Sequence, residues 1–425
     1  MKNSKLNICV VGCGYVGLPL INELSRYFEV IGYDNNKDKI KNLIKGLDTT
    51  KQLDLKSIKN RTNIFTYNQR DIIKSNIYII CVPTPIDRKK KPDLSHIRKA
   101  SQMVGKCLNK NDIVIYESTV FPGCTEEICI PILENYSKLT ENKDFFCGYS
   151  PERINPGDKK NLLKNTVKIV GSNSPRALEI MKRIYKRVIK IKNGLHVTKS
   201  IKVAETAKIL ENVQRSINIS LINEISIICK RLKIDTYSVL EAASTKWNFV
   251  KYKPGLVGGH CIAIDPYYLA YKAKKLKINP RLTLSGQTIN EKIPNQIGKR
   301  VYSRIKNNNS KNKSVLMMGL TFKENCPDIR HSKVFDIIYF LKKKNIFVEI
   351  FDPWLEDQDK KKLKKFKFIN KFPIKKKYDS VVIAVAHNKF KKIPFFKIKK
   401  LVKKSGFIYD VKRILKRNER FIESL

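Results

Sequence analysis

Residues 6–34 read LNICVVGCGYVGLPLINELSRYFEVIGYD. The opening run, Leu6–Val11, is apolar and rich in β-branched residues, which fits a strand buried on both faces. GCGYVG at 12–17 follows at once and opens a helix in which Leu18, Ile21, Leu24 and Phe28 recur at helical spacing. EVIGYD then forms a second strand that ends on Asp34. Strand, glycine turn, helix and strand within about thirty residues make the βαβ unit of a dinucleotide-binding fold. Gly12 allows the tight turn, Gly14 lets the backbone approach a pyrophosphate, and Gly17 lets the helix pack close to the strand. A lone G-x-G-x-x-G is weak, since glycines also serve ordinary turns. Here it follows a strand and is trailed by an acid twenty residues beyond Gly14. Asp34 would accept hydrogen bonds from the adenine ribose hydroxyls and repel a 2′-phosphate, which favours NAD over NADP. The cofactor-binding candidates here are Gly12, Gly14, Tyr15, Val16, Gly17 and Asp34.

Working outward, apolar runs at 77–82 (IYIICV) and 113–116 (IVIY) extend the parallel-sheet pattern, so a first α/β domain is expected over residues 1–195. From Ser200 to Leu232 the pattern becomes one long helix. Ala204, Ala207, Leu210, Val213, Ile217, Leu221, Ile225, Ile228 and Leu232 step by three or four residues. So long a helix suits a spine between domains or across a subunit interface, and residues 196–306 form the central region. SVLMMGL, a helix near 333–344, IFVEIFD, SVVIAVA and GFIYDV repeat the α/β pattern over 307–425, without a second glycine fingerprint. The expected fold class is α/β, with two Rossmann-like doubly wound domains joined by a central long-helix region.

Composition tests this against a rival. The 425 residues hold 86 Lys+Arg against 38 Asp+Glu, a formal net charge of +48. Such a chain is drawn to any polyanion at low salt, yet charge speaks to association and not to chemistry. No nucleic-acid reading motif and no aromatics interleaved with a basic stripe support that partner. Lysine, asparagine and isoleucine are abundant together, as A+T-rich codons would make them. No specific nucleic acid is expected. The ten cysteines, at 9, 13, 81, 107, 124, 129, 147, 229, 261 and 326, form no C-x-x-C, and no His pair has ligand spacing. Neither a metal site nor a disulfide framework is indicated. Ile8 to Leu20 resembles a signal-peptide core only superficially, and no apolar run reaches about 18 residues. A soluble cytoplasmic protein, with no membrane partner, is the expectation.

GCGYVGLP, CVPTP at 81–85, ESTVFPG at 117–123, GYSPERINPGD at 148–158, AKILENVQR at 207–215, KPGLVGGHCIAIDPYYL at 253–269 and GLTFKENCPDIRHS at 319–332 together resemble the nucleotide-sugar 6-dehydrogenase family. The resemblance is closest to the UDP-N-acetylglucosamine/UDP-N-acetylgalactosamine branch and covers nearly the whole chain. It implies two NAD-dependent oxidations that take the primary alcohol at carbon 6 of a UDP-sugar, through an aldehyde, to a carboxylate. It also implies a uronic-acid precursor for a surface polysaccharide, while the long central helix makes a homodimer or higher homo-oligomer the expectation.

A second hydride can leave only from a tetrahedral adduct, so the aldehyde needs a nucleophile. Cys261 is the candidate, set among Gly258, Gly259, His260 and Asp265, although most cysteines are inert buried hydrophobes. Lys208 and Asn212 lie four apart and share a helix face, where the resemblance has them stabilise the oxyanion of the adducts. By the same resemblance, Asp265 acts as general base or water-positioning group, and Glu152 helps activate the water that hydrolyses a thioester. Arg153, Gly258 and Gly259 border the substrate. Pro83, Thr84 and Thr119 sit at strand ends that bind the cofactor. Lys323 reaches the sugar nucleotide and Arg330 the cofactor phosphates, where arginine suits bidentate recognition.

LSGQTINE at 284–291 departs from the GRRIND-like segment of the closest branch, placing Gln287 and Thr288 at arginine positions. His331 stands where asparagine is common. A UDP-glucose or GDP-mannose 6-dehydrogenase is the near alternative. A polyanion-binding protein that has lost catalysis is the distant one, and the retained Cys261, Lys208, Asn212 and Asp265 oppose it.

Overall fold

β1 (Asn7–Val11) is flanked on one side by β2 (Glu29–Tyr33) and on the other by β4 (Ile77–Ile80), both parallel to it. The computed structural model describes residues 5–48, 64–153, 162–308, 310, 312–415 and 419–425. It divides into two compact units. One comprises Met1–Glu211 with Tyr267–Asn279, the other Asn212–Pro266 with Pro280–Leu425.

In the first unit, β3 (Ile64–Thr66), β5 (Ile113–Tyr116), β6 (Phe146–Tyr149), β7 (Lys168–Gly171) and β8 (Leu195–Thr198) complete an eight-stranded sheet of order β3-β2-β1-β4-β5-β6-β7-β8. Every pairing is parallel except β6 with β7. β4, β5, β6 and β7 are buried along their whole length, as strands covered on both faces must be. Ile8, Val10, Ile77, Ile79, Ile113 and Ile115 pack with the helices Gly17–Leu24 and Pro175–Val188 into one core. Connection direction reverses between β1 and β4, and the crevice at the carboxyl ends of those strands is where such sheets bind ligands.

In the second unit, β9 (Ser314–Met318), β10 (Phe347–Phe351), β11 (Lys367–Phe368), β12 (Tyr378–Ile383), β13 (Val402–Asp410) and β14 (Ile422–Glu423) form a wholly parallel sheet of order β11-β10-β9-β12-β13-β14. The helices Arg281–Ile305 and Val334–Lys343 cover one face through Ile293, Ile297, Val301, Ile337 and Leu341. The expectation of two Rossmann-like sheets is met.

The long helix runs Ile201–Leu232, and the division between units falls inside it. Its apolar periodicity does not mark a single buried face. Ala204 and Val213 are buried, whereas Leu210, Leu221, Ile228 and Leu232 are exposed, Leu232 by 63%. A polar row is buried instead: Glu205, Lys208, Asn212, Ser216, Ser220, Asn223 and Ser226.

Candidate active site

The glycine turn after β1 has the shape its residues require. Gly12 has φ +102, and a Cβ there would lie 2.7 Å from the Cys81 carbonyl oxygen. A Cβ on Gly17 would lie 1.8 Å from the Gly12 carbonyl oxygen, whereas one on Gly14 would meet nothing within 4 Å. Gly12 and Gly17 thus serve the fold, and Gly14 keeps space open for a ligand. Tyr15 and Val16 carry the turn into the helix and are half-buried. Asp34 accepts from Cys13 N at 3.0 Å, from Asn36 N at 3.0 Å and from Lys39 Nζ at 2.7 Å, so the acid is locked beside the turn. Gly12, Asp34, Lys39, Pro83 and Met103 help to line a cavity of about 480 Å³. Thr84 Oγ1 donates to the Thr119 carbonyl at 2.6 Å, and Tyr268 Oη donates to the carbonyls of Thr84 and Pro85 at 2.9 and 3.2 Å. These residues fit a dinucleotide: an open glycine turn at a helix start, a fixed acid for ribose and a cavity between them.

Glu152 is buried in the same unit, and its Oε1 accepts from Arg153 N at 2.7 Å. Arg153 donates to the Val167 carbonyl at 2.9 Å and pairs with Glu211 at 2.7 Å. Beneath Glu152 lies a charge cluster that reading the sequence missed. Lys168 Nζ donates to Glu117 Oε2 at 2.8 Å and to the Pro151 carbonyl at 3.2 Å, and stands 3.9 Å from Glu152 Oε2. Tyr185 Oη donates to Glu117 Oε1 at 2.5 Å. Burial pulls the Lys168 ammonium down, but Glu117 and Glu152 outweigh it and hold its pKa above the ordinary value. The one available signal was a lysine opening the otherwise apolar strand KIVG.

In the second unit, Cys261 is exposed while the other nine cysteines are buried. Its carbonyl accepts from Ile264 N at 2.9 Å and Asp265 N at 2.8 Å, a tight turn that starts the helix Asp265–Lys275. Asn212 Nδ2 donates to Asp265 Oδ2 at 2.5 Å, both side chains being buried. Lys208 is buried one turn before Asn212 on the long helix. The space that Cβ atoms on Gly258 and Gly259 would need is taken by the protein itself. A Cβ on Gly258 would lie 2.7 Å from the His331 carbonyl oxygen, and one on Gly259, where φ is +85, 2.6 Å from the Phe322 ring. These glycines admit the protein's own neighbouring segment beside the cysteine.

That segment carries Lys323 and Arg330. Arg330 Nη2 donates to Asp328 Oδ2 at 2.6 Å and its Nε to Oδ1 at 3.0 Å, while His260 Nε2 lies 3.2 Å from the same carboxylate. Burial pushes the Asp328 carboxyl up, but the bonds from His260 and Arg330 prevail and hold it well below the usual range. Lys323 is half-buried, and its carbonyl accepts from Thr321 Oγ1 at 2.9 Å. Asp352, after β10, accepts from Leu320 N and Thr321 N at 2.6 and 3.1 Å. His387 Nδ1 accepts from Asn325 N at 2.9 Å, which leaves Nε2 to donate toward Asp352 Oδ2 at 3.2 Å. Asp352 and His387 thus brace the turn that bears Lys323, and neither was singled out from the sequence.

Three domains of the UDP-glucose/GDP-mannose dehydrogenase family match in order: the NAD binding domain at residues 6–189, the central domain at 202–292 and the UDP binding domain at 316–417. The chain belongs to the UDP-glucose/GDP-mannose dehydrogenase family. As a member of it, the protein is an NAD-dependent nucleotide-sugar dehydrogenase. A UDP-N-acetyl-D-glucosamine 6-dehydrogenase of Pseudomonas aeruginosa is 46% identical over 417 residues, covering 96% of this chain and 97% of that protein. Its counterpart in Salmonella typhi is 43% identical over 415 residues, covering 97% of each. The solved structure of UDP-D-ManNAc dehydrogenase from Pyrococcus horikoshii superposes with a TM-score of 0.85 at 27% identity over 99% of each chain.

Within this dehydrogenase the unusual residues have local explanations. His331 has φ +54, in the left-handed region that asparagine tolerates best among side-chain-bearing residues, so the turn suits the asparagine expected there. Gln287 is buried, and its Nε2 donates to Ser216 Oγ at 2.8 Å and to the Ile262 carbonyl at 3.2 Å. Thr288 Oγ1 donates back to the Leu284 carbonyl at 2.9 Å within its own helix. Among the described residues no group of His, Cys, Asp and Glu could hold a metal ion, and no helix is long and apolar enough to cross a membrane. In the segment 148–158, residues 154–158 lie outside the described residues.

Proposed function

We propose that this chain oxidises carbon 6 of a UDP-N-acetylhexosamine, UDP-N-acetylglucosamine foremost, to the carboxylate through a covalent adduct on Cys261. The observation that carries the reading is the setting of Cys261: the exposed thiol among ten, in a turn whose last residue, Asp265, is bonded to Asn212. NAD, when bound, accepts the hydride in each of the two oxidations. The Cys261 thiolate adds to carbon 6 of the aldehyde, giving a thiohemiacetal whose oxygen takes the negative charge. Lys208 and Asn212 offer an ammonium and an amide to that oxygen, and Asp265 holds the Asn212 amide in place and accepts protons. Loss of hydride leaves a thioester. Water, deprotonated by Glu152, adds to it, the C–S bond breaks, and the carboxylate leaves as Cys261 regains its thiol.

Gly12, Gly14, Tyr15, Val16, Gly17, Asp34, Pro83, Thr84 and Thr119 hold the cofactor, with Arg330 directed at its phosphates. Arg153 and Lys323 hold the sugar nucleotide, and Gly258 and Gly259 border it by letting the segment that bears Lys323 pack beside Cys261. The match to a UDP binding domain and the identity to UDP-N-acetyl-D-glucosamine 6-dehydrogenases support this substrate over a GDP-sugar. Functionally the chain falls into residues 1–195 for cofactor, 196–306 for the nucleophile and self-association, and 307–425 for the nucleotide. The exposed Leu210, Leu221, Ile228 and Leu232 of the long helix are suited to a second copy, making a homodimer. Free thiols suit the cytoplasm.

The test is to incubate the purified protein with NAD and a panel of UDP- and GDP-sugars while following NADH. Two NADH per UDP-N-acetylglucosamine consumed in the parent, and no more than one with no carboxylate product in Cys261→Ala, is the expected result. Full activity in Cys261→Ala would overturn the covalent route, and preference for a GDP-sugar would overturn the substrate.

A further inference from the structure

The loop that bears Cys261 is held at both ends by one buried polar network. At its start, the Asn223 amide grips the Gly255 peptide twice, accepting from Gly255 N at 2.8 Å and donating to the Gly255 carbonyl at 3.1 Å. Asn223 Nδ2 also lies 2.8 Å from Asn290 Oδ1. Asn290 Nδ2 donates to the Ser216 carbonyl at 3.1 Å and lies 3.3 Å from Ser216 Oγ, which in turn accepts from Gln287 Nε2. At the far end, Gln287 reaches the Ile262 carbonyl. Asn223, Asn290, Ser216 and Gln287 are all 4% exposed or less, so the bonds they make to one another and to the loop are shielded from water.

The helices that carry them approach closely. A Cβ on Gly286 would lie 2.9 Å from Ser220 Oγ, so Gly286 is what lets Gln287 lie against the long helix. A glutamine has two amide N–H donors, and here one goes to the scaffold hydroxyl and the other to the loop. The carbonyl it grips belongs to the residue directly after the nucleophile. The Cys261 carbonyl is engaged by Ile264 N and Asp265 N, so the carbonyls of both Cys261 and Ile262 are held.

We propose that Gln287 is a positioning residue for Cys261: through the Ile262 carbonyl it fixes the turn 261–265, and with it the approach angle of the thiol to carbon 6. The proposal rests on the reading of Cys261 as nucleophile. It adds a buried residue whose amide N–H groups go to Ser216 and Ile262, placed by the sequence at a position where arginine was expected from the family resemblance. Misplacing a nucleophile by about 1 Å is enough to slow a reaction of this kind by up to about a hundredfold.

Two variants of the full chain test it. Gln287→Met keeps the volume and removes both donors. Gln287→Glu keeps a partner for the Ser216 hydroxyl but turns an acceptor toward the Ile262 carbonyl. The readouts are deuterium uptake of peptides spanning 259–266, melting temperature, and kcat and KM with UDP-N-acetylglucosamine and NAD. Expected are faster uptake at 259–266 with the helix 281–305 still protected, a kcat about tenfold or more below the parent, and a KM for NAD within about twofold. A folded variant with parental uptake and parental kcat overturns the proposal, as does a loss confined to KM for NAD. If Gln287→Met fails to fold, Gln287→Glu decides. If the parent itself shows no activity, the proposed function fails, while the uptake comparison still decides whether Gln287 holds the turn.

Discussion

Asn212 and Asp265 are 53 residues apart in sequence, yet the amide of one donates to the carboxylate of the other at 2.5 Å. The bond leaves the second amide hydrogen of Asn212 for another acceptor and fixes its direction. Asp265→Asn should therefore fold as the parent does while kcat falls about a hundred- to a thousandfold, the usual scale for losing an oriented group at a developing oxyanion. Steady-state NADH formation beside a circular dichroism melt checks it, and a kcat within tenfold of the parent would contradict it.

Lys168 and Glu117 form an ion pair that is 2% and 0% exposed at the side chains. Removing one partner strands a charge without water, at a cost of about 3–5 kcal/mol. Lys168→Met should lose that much in urea denaturation, and adding Glu117→Gln should recover part of it, because the stranded carboxylate is gone. A double variant no more stable than the single one would refute the account.

Glu205 is fully buried and accepts from Gly123 N at 2.5 Å and Thr125 N at 2.9 Å. Burial nevertheless prevails over those bonds and raises its pKa from 4.5 to about 7. A carboxyl with a raised folded pKa contributes stability that is fully present below the unfolded value and is lost as pH rises through the folded one. Between pH 4.5 and 7 the loss develops, amounting to about 3 kcal/mol above that window. Denaturation from pH 5 to 8 should show a steeper decline in the parent than in Glu205→Gln; parallel curves would count against it.

Gly14 and Gly17 belong to one motif but should respond differently. Gly14→Ala meets no protein atom within 4 Å, so its melting temperature should be unchanged while its KM for NAD rises about tenfold. Gly17→Ala would put a Cβ 1.8 Å from the Gly12 carbonyl oxygen and should fail to fold stably. Equal stability of the two would show that the turn adapts more than its geometry implies.

Local pattern carried much of this molecule. The run Leu6–Val11, the glycine turn and Asp34 are contiguous, and each obeys the period or turn chemistry of its element, so β1, β2 and the cofactor cradle could be read directly. So could β9, β10, β12 and β13 of the second sheet, whereas the two-residue β11 and β14 were too short to show a pattern. The Lys168–Glu117–Tyr185 cluster could not, because its members come from segments 51 and 68 residues apart and each alone reads as an isolated polar residue. Ser216, Ser220 and Asn223 have helical spacing, but nothing in the sequence singled them out. Only tertiary packing turns that row inward and makes Asn223, and Ser216 through Gln287, a brace for the 255–262 loop. Asp352 was hidden in another way: it ends β10 as Asp34 ends β2, but it bonds the backbone of Leu320 and Thr321, with no glycine fingerprint to announce it.

Nine thiols withdrawn into the interior leave Cys261 facing the solvent alone. Peroxide or an electrophile in solution would therefore meet Cys261, the proposed nucleophile, before any other cysteine of this chain. Oxidative damage has a single address, and its first stage, a sulfenic acid or mixed disulfide, is undone by reductant, whereas over-oxidation is permanent. Supply of the oxidised sugar would then rise and fall with the redox state of its surroundings, as a consequence of where the other cysteines are buried.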